Sequence, residues 1–170
     1  PGSFAVTQSG AATYNIPLMV PPGTGGMVPN LSVSYNSNGG DGLLAKNWSL
    51  SGLSSISRAG QSLYYNDNVA PVTLTNADNF LMDGSYLIPA SGNNGANGTT
   101  YGTEMESFVR ITSHGQAASS PNYFTAETKD GTVIEFGNTP DSRIEDTGNS
   151  TGLTWLLNKV TDNKGNYMNF

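Results

Sequence analysis

The sequence predicts an all-β protein of antiparallel sheets and hairpins, arranged as a sandwich or an open shell segment, with little helix. Composition is the first observation behind this. The 170 residues include 21 Gly and 9 Pro, and only 12% are charged, against about 25% in an average soluble domain. Gly, Pro, Asn and Ser supply the left-handed backbone positions and local side-chain bonds of tight turns. Periodicity is the second: apolar residues recur at two rather than 3.6, which puts alternate side chains on one face of a pleated strand. The third is the placing of turn pairs between apolar runs. Tyr 8, Phe 6 and Trp 2 are spread along the chain, so it has the material for a core, which a disordered chain lacks. The length fits one domain, residues 1–170.

The first strand carries Ala12, Tyr14, Ile16, Leu18 and Val20 on one face, with Pro17 marking an edge or bulge because it has no N–H to give a ladder. Pro21 to Pro29, PPGTGGMVP, is a loop, and Leu31, Val33 and Tyr35 then alternate with serines as a half-buried strand. NSNGGDG from Asn36 reverses the chain. LLAKNWSL follows as a single helical turn or an irregular apolar plug, with Trp48, Leu50, Leu53 and Ile56 anchoring a core. The pair Asp83 and Gly84 joins FLM to YLI as a hairpin. SGNNGANGTTYG, Ser91 to Gly102, reads as an exposed loop with little to bury. Phe108–Ile111 and Tyr123–Thr128 are strands, and Lys129, Asp130 and Gly131 turn the second into Val133–Phe136. Trp155–Asp162 runs through Asn163–Asn166 into Tyr167, Met168 and Phe170, a hairpin whose returning strand is the last of the sequence. Such an open strand edge invites further strands, as in a segment cut from something longer.

Several function classes are disfavoured by composition. A net charge of −6 offers no footprint for a polyphosphate backbone. No apolar run approaches the ~20 residues of a membrane span, and no basic-then-apolar leader opens the chain. With no cysteine there is neither a disulfide framework nor a thiolate metal site. The one histidine, His114, sits in the polar segment Thr112–Gly115 without a G-x-S-x-G elbow elsewhere, and reads as solvated rather than catalytic. Glu104 and Glu106, at i and i+2, would share a strand face and offer acid and base in principle; a solvated face is the simpler reading. Asp67, Asp141, Asp146 and Asp162 lie among Asn and Gly but lack calcium-loop spacing, and Asp162 with Asn163, Gly165 and Asn166 is explained as hairpin chemistry. The Gly-rich loops are not followed by Lys-Ser or Lys-Thr, which argues against a phosphate cradle. N-x-[ST] sequons at Asn30, Asn47, Asn97 and Asn149 are what chance yields in so Asn-rich a chain. Tyr14, Tyr35, Trp48, Phe108, Phe124, Phe136, Trp155 and Tyr167 belong to a core, or else to a sugar-stacking platform if several face solvent. No catalytic, cofactor-binding or metal-ligating residue is therefore assigned, and no cofactor.

The run from Gly2 to Arg58, GSFAVTQSGAATYNIPLMVPPGTGGMVPNLSVSYNSNGGDGLLAKNWSLSGLSSISR, closely resembles the opening of the SpvB/TcaC-type N-terminal domain. FLMDGSYLI, YGTEMESFVRITS, FTAETKDGTVIEFG, and SRI followed by WLLNKVTDNKGNYMNF are also similar to that family. Ala45, Lys46 and Asn47 depart from it, standing where a smaller, Gly-richer approach to Trp48 is expected. The resemblance implies a non-enzymatic structural domain of a secreted bacterial toxin-type protein. Its partners would be later parts of the same polypeptide and Rhs/YD-repeat or toxin-complex subunits, with which it forms a β-shell that encloses or delivers a toxic C-terminal region. No catalytic motif of the family falls in this stretch. The alternative is a carbohydrate-binding β-sandwich module.

Overall fold

The computed structural model describes residues 1–42, 44–116 and 119–170. Strands hold 45% of the chain and helices 6%, in accord with the all-β antiparallel prediction. The chain divides into two compact units, Pro1–Leu53 and Ser54–Phe170.

The first unit is a four-stranded antiparallel meander of β1 (Ser3–Val6), β2 (Ala12–Pro17), β3 (Ser32–Asn36) and β4 (Trp48–Ser51). Its register places Phe4, Tyr14, Tyr35 and Trp48 opposite one another in a row across the sheet, and Ile16, Val33 and Leu50 in a second. Because directly opposed residues share a face, every large apolar strand residue here lies on one side. The other side is serine, threonine and asparagine with Ala5 and Pro17: Ser34 donates to Asn15 Oδ1 at 2.8 Å, and the Ser51 hydroxyl to that of Ser34 at 2.9 Å. Pro17 ends β2 beyond the last pair with β1, where its missing N–H costs no ladder bond.

In the second unit β5 (Ser55–Ala59) is followed by a single helical turn, α1 (Leu63–Asn66). Next come β6 (Asn79–Met82), β7 (Ser85–Ser91), β8 (Thr100–Thr103), β9 (Arg110–His114), β10 (Tyr123–Glu127), β11 (Val133–Phe136), β12 (Arg143–Glu145), β13 (Gly152–Thr161) and β14 (Tyr167–Asn169). Strands β5 to β11 pair in sequence order. The ten-residue β13 then pairs with β5 through Thr154–Leu156 and with β11 through Leu157–Thr161, stepping over Asn158 at a bulge. One long strand thus joins the two ends, and the sheet closes into an eight-stranded barrel. Sequence periodicity alone left a sandwich or an open shell; closure depends on this long-range pairing.

Each barrel strand sends at least one buried apolar side chain inward: Ile56, Phe80, Leu87, Tyr101, Ile111, Phe124, Phe136 and Trp155, with Ala126 beside Phe124. Eight strands enclose a space that side chains just fill. Phe80, Phe124 and Trp155 meet edge to face at 4.9–5.6 Å, the geometry ring quadrupoles favour. Trp155 fits only because two neighbours have no side chain: a Cβ would come within 2.3 Å of its ring at Gly137 and 2.4 Å at Gly152. Against these rings lies a buried guanidinium. Arg58 donates to the carbonyls of Gly152, Thr75 and Ser119, each at 2.7 Å, and to Asp78 Oδ2 at 3.3 Å, with both side chains of the pair fully buried. Asp78 Oδ1 accepts from the Thr73 amide and hydroxyl. One cation therefore ties the loops carrying Thr75 and Ser119 to the start of β13.

Three expectations need correcting. LLAKNWSL forms no helical turn over its described residues: Trp48 and Leu50 alternate on β4 and are half-buried, because a two-residue repeat in a short segment serves a strand better than a plug. Leu53 is exposed, so of the four proposed anchors only Ile56 enters a core. The Ser91–Gly102 stretch is not simply an exposed loop. Gly95 and Thr99 are buried and Tyr101 is core, its hydroxyl accepting the Gly95 amide at 2.8 Å. Small residues in tight turns let the backbone itself pack there.

Candidate functional site

His114 ends β9 and stacks on Tyr123 at 4.6 Å and 14°, while its Nε2 meets the Thr125 hydroxyl at 2.8 Å. Burial pulls its pKa below the ordinary 6.5, with the Glu135 charge opposing. Its Nδ1, where a triad places an orienting carboxylate, has no hydrogen-bond partner among the described residues. Glu104 and Glu106 do not share a strand face: β8 ends at Thr103, and both are exposed in the following loop, where Glu106 accepts the Phe108 amide at 2.6 Å. They are turn residues. Their alternation resembled a strand because i, i+2 spacing also occurs in loops.

The four aspartates are not brought together, and among the described residues no three His, Asp or Glu side chains could hold a metal ion. Asp162 is hairpin chemistry, as the spacing predicts: Oδ1 accepts the Lys164 and Asn166 amides at 2.8 Å, and Oδ2 the Asn166 side chain at 2.7 Å. Hydrogen bonding, first from Asn166, holds its pKa below the ordinary carboxylate value. Asp130 does likewise in the β10–β11 turn, held low first by the Thr128 hydroxyl. Of the aromatics, Phe124, Phe136 and Trp155 are core and unavailable for stacking on a ligand.

The apolar face of the first unit has Phe4 67% and Val6 62% exposed, with Tyr14 and Ile16 also exposed. Among the unit's described residues only Ala11 is buried. An antiparallel sheet with one apolar face normally packs that face on something, and contiguous apolar surface of this kind marks an interaction site. On the second unit, β14 pairs with β13 alone among the described strands, leaving its outer edge of N–H and C=O groups unpaired. Such an edge accepts another strand. Phe108, 69% exposed, projects between β8 and β9 with φ +57°, and Lys129 Nζ lies 5.5 Å from its ring centre. A bulky residue held left-handed is strained. Sequence reasoning read Phe108 as the start of a strand and had no signal for this conformation.

No curated protein matches the chain. Among solved structures, "Crystal Structure of TcdB2-TccC3" matches with a TM-score of 0.78 and 22% identity, over 98% of this chain and 8% of that one. "Structure of Photorhabdus luminescens Tc holotoxin pore, Mutation TccC3-D651A" matches with a TM-score of 0.73 and 23% identity, again over 98% and 8%. The N-terminal domain of effector protein SpvB from Salmonella typhimurium strain LT2 matches with a TM-score of 0.68 and 22% identity, over 87% of this chain and 50% of that one. At these identities the likeness establishes the fold, and the chain spans only a small part of the toxin-complex chains. The family model described as "SpvB: Salmonella virulence plasmid 65kDa B protein" matches residues 6–170, and the chain belongs to that family.

Proposed function

We propose that this chain is a non-enzymatic structural domain of a secreted bacterial toxin-type protein, spanning residues 1–170. It packs against later parts of its own polypeptide and against toxin-complex subunits to help form a β-shell around a toxic region. The observation that carries this reading is the one-sided sheet of the first unit, whose large apolar residues share a face and remain exposed or half-buried. A four-stranded sheet without buried large side chains gains little from its own packing, so a covering surface supplies the missing stabilisation. The open edge of β14 supports the same reading, since strand addition would continue the sheet. So does the spread of matches, in which this chain corresponds to 8% of much longer toxin-complex chains.

The test uses the complete parent polypeptide with its partner subunit. Ile16→Lys places a charge on the apolar face, and Ser49→Lys places the same charge on the polar face. Ile16→Lys is expected to leave the enclosed region open to protease while Ser49→Lys leaves it protected. Equal protection in both variants refutes the proposal.

A further inference from the structure

The barrel wall parts between β6 and β7. These strands pair only at Leu81 with Tyr86 and Met82 with Ser85, after which β7 continues with β8. Pro89 contributes to the parting, since it has no N–H with which to extend a ladder. The gap opens into a cleft of about 390 Å³, within the range of small-molecule sites. Five side-chain amides line it, from Gln61, Asn66, Asn76, Asn79 and Asn94, together with the ring of Tyr65 and no charged side chain among the described lining residues.

Four of these amides, those of Gln61, Asn66, Asn79 and Asn94, are held in place. Asn94 Nδ2 donates to the carbonyls of Asn76 and Asp78 at 2.9 and 2.8 Å, Asn79 Nδ2 to Gly60 at 2.9 Å and to Asn66 Oδ1 at 2.8 Å, and Gln61 Nε2 to Ala77 at 3.1 Å. Asn94 is tied down through its nitrogen, and its Oδ1 accepts no hydrogen bond from the described residues. A fixed carbonyl oxygen suits a ligand that donates hydroxyl protons. A neutral wall gives no compensation for desolvating a phosphate or carboxylate. Beside the cleft Tyr64, 85% exposed, packs edge to face on Tyr65 at 4.8 Å. It offers an apolar ring face next to polar groups, and an exposed ring costs little to order on binding. An extended peptide fits less well, because Pro89 removes a donor from the β7 edge it would use.

We propose that this cleft binds a neutral oligosaccharide, one hydroxyl donating to Asn94 Oδ1 and one sugar face lying on Tyr64, while the oxygens of Gln61, Asn66 and Asn79 are already engaged by Asn68, Ser62 and one another. The proposal is independent of the architectural reading. It is tested by titrating the 170-residue chain with neutral gluco-, manno-, galacto- and N-acetylglucosamine oligosaccharides, following backbone and side-chain amide NMR shifts. Uronic-acid oligosaccharides and an extended Ala/Ser/Thr peptide serve as parallel arms. Saturable shifts with at least one neutral sugar, centred on Asn66, Asn76, Asn79 and Asn94, are expected. Tyr64→Ala, a surface change that leaves the fold intact, is expected to weaken binding about tenfold. Silence with every neutral sugar, binding confined to the acidic sugars or the peptide, or unchanged affinity in Tyr64→Ala each overturns the proposal.

Discussion

Removing the guanidinium of Arg58 should come close to unfolding the barrel, and the reason can be worked from its contacts. The side chain is fully buried and gives hydrogen bonds to Gly152, Thr75 and Ser119 besides its pair with Asp78. Burial pulls its pKa below the ordinary value and the Asp78 charge opposes that, so desolvation is the larger effect. In Arg58→Met the Asp78 carboxylate stays buried without its cation, at about 3–5 kcal/mol. Three carbonyls also lose their donor, at roughly 1 kcal/mol or more each unless water reaches them. A total of about 6–8 kcal/mol compares with the 5–15 kcal/mol that stabilises a whole domain. Arg58→Lys keeps the charge, but one ammonium cannot span the separate carbonyls, so an intermediate loss of about 2–3 kcal/mol is expected. The assay is urea unfolding followed by fluorescence in a Trp48→Phe background, where Trp155 alone reports. A double-mutant cycle with Asp78→Asn should recover at least about 1 kcal/mol, because the uncompensated charge is then gone. A loss under about 1.5 kcal/mol in Arg58→Met, or no coupling to Asp78, would refute the account of a sealed cation holding the loops.

The two tryptophans should differ sharply. Trp155→Ala is expected to cost about 3–5 kcal/mol, whereas half-buried Trp48→Ala should cost about 1 kcal/mol in the isolated chain; equal losses by urea titration would contradict the burial difference. Phe108→Gly should raise the melting temperature by a few degrees, since glycine adopts φ +57° freely and relief of about 1 kcal/mol moves a domain of this size by that amount; a lowered value would mean the ring packs better than its exposure implies. The Asp130 and Asp162 turns bind a proton more weakly than the unfolded chain does. Their stabilisation is therefore complete above the ordinary value of 3.8 and is lost as pH falls through the lower native values. Urea midpoints should accordingly decline below about pH 4, and Asp162→Asn should lower the midpoint at pH 6 while flattening that decline.

Local chemistry was legible wherever it acts over a few residues. Asp83–Gly84, Lys129–Gly131 and Asp162–Asn166 each name a turn, and the structure has hairpins there, with Asp83 at φ +50° and Gly84 at +85°. Strand faces followed from alternation, as in Val33 and Tyr35 of β3, which share one face of the first sheet, whereas the buried Ile56 and Arg58 of β5 were not legible as a strand face. Hidden from the sequence were features decided by distant partners. Nothing near Gly152 announces that β13 will bridge β5 and β11, and nothing near Arg58 announces carbonyls 17, 61 and 94 residues away. The amide cleft went unread for the same reason: Gln61, Asn66, Asn79 and Asn94 look like ordinary turn residues until the barrel wall gathers them.

The two units pose the same local problem and answer it differently. Both alternate apolar and polar residues, and both put aromatics in register across neighbouring strands, Tyr14–Tyr35–Trp48 in one and Phe124–Phe136 in the other. The barrel solves its burial internally, because closure lets every strand's inward face cover the others. A four-stranded meander cannot curl far enough to do this, so its apolar face requires another surface. Alternation therefore specifies which side is apolar without specifying what covers it. That is why the same pattern reads as a finished core in the second unit and as an exposed apolar face in the first. The asymmetry between the units is one of burial: the barrel is stabilised by its own core, and the four-stranded sheet keeps its large apolar side chains exposed or half-buried.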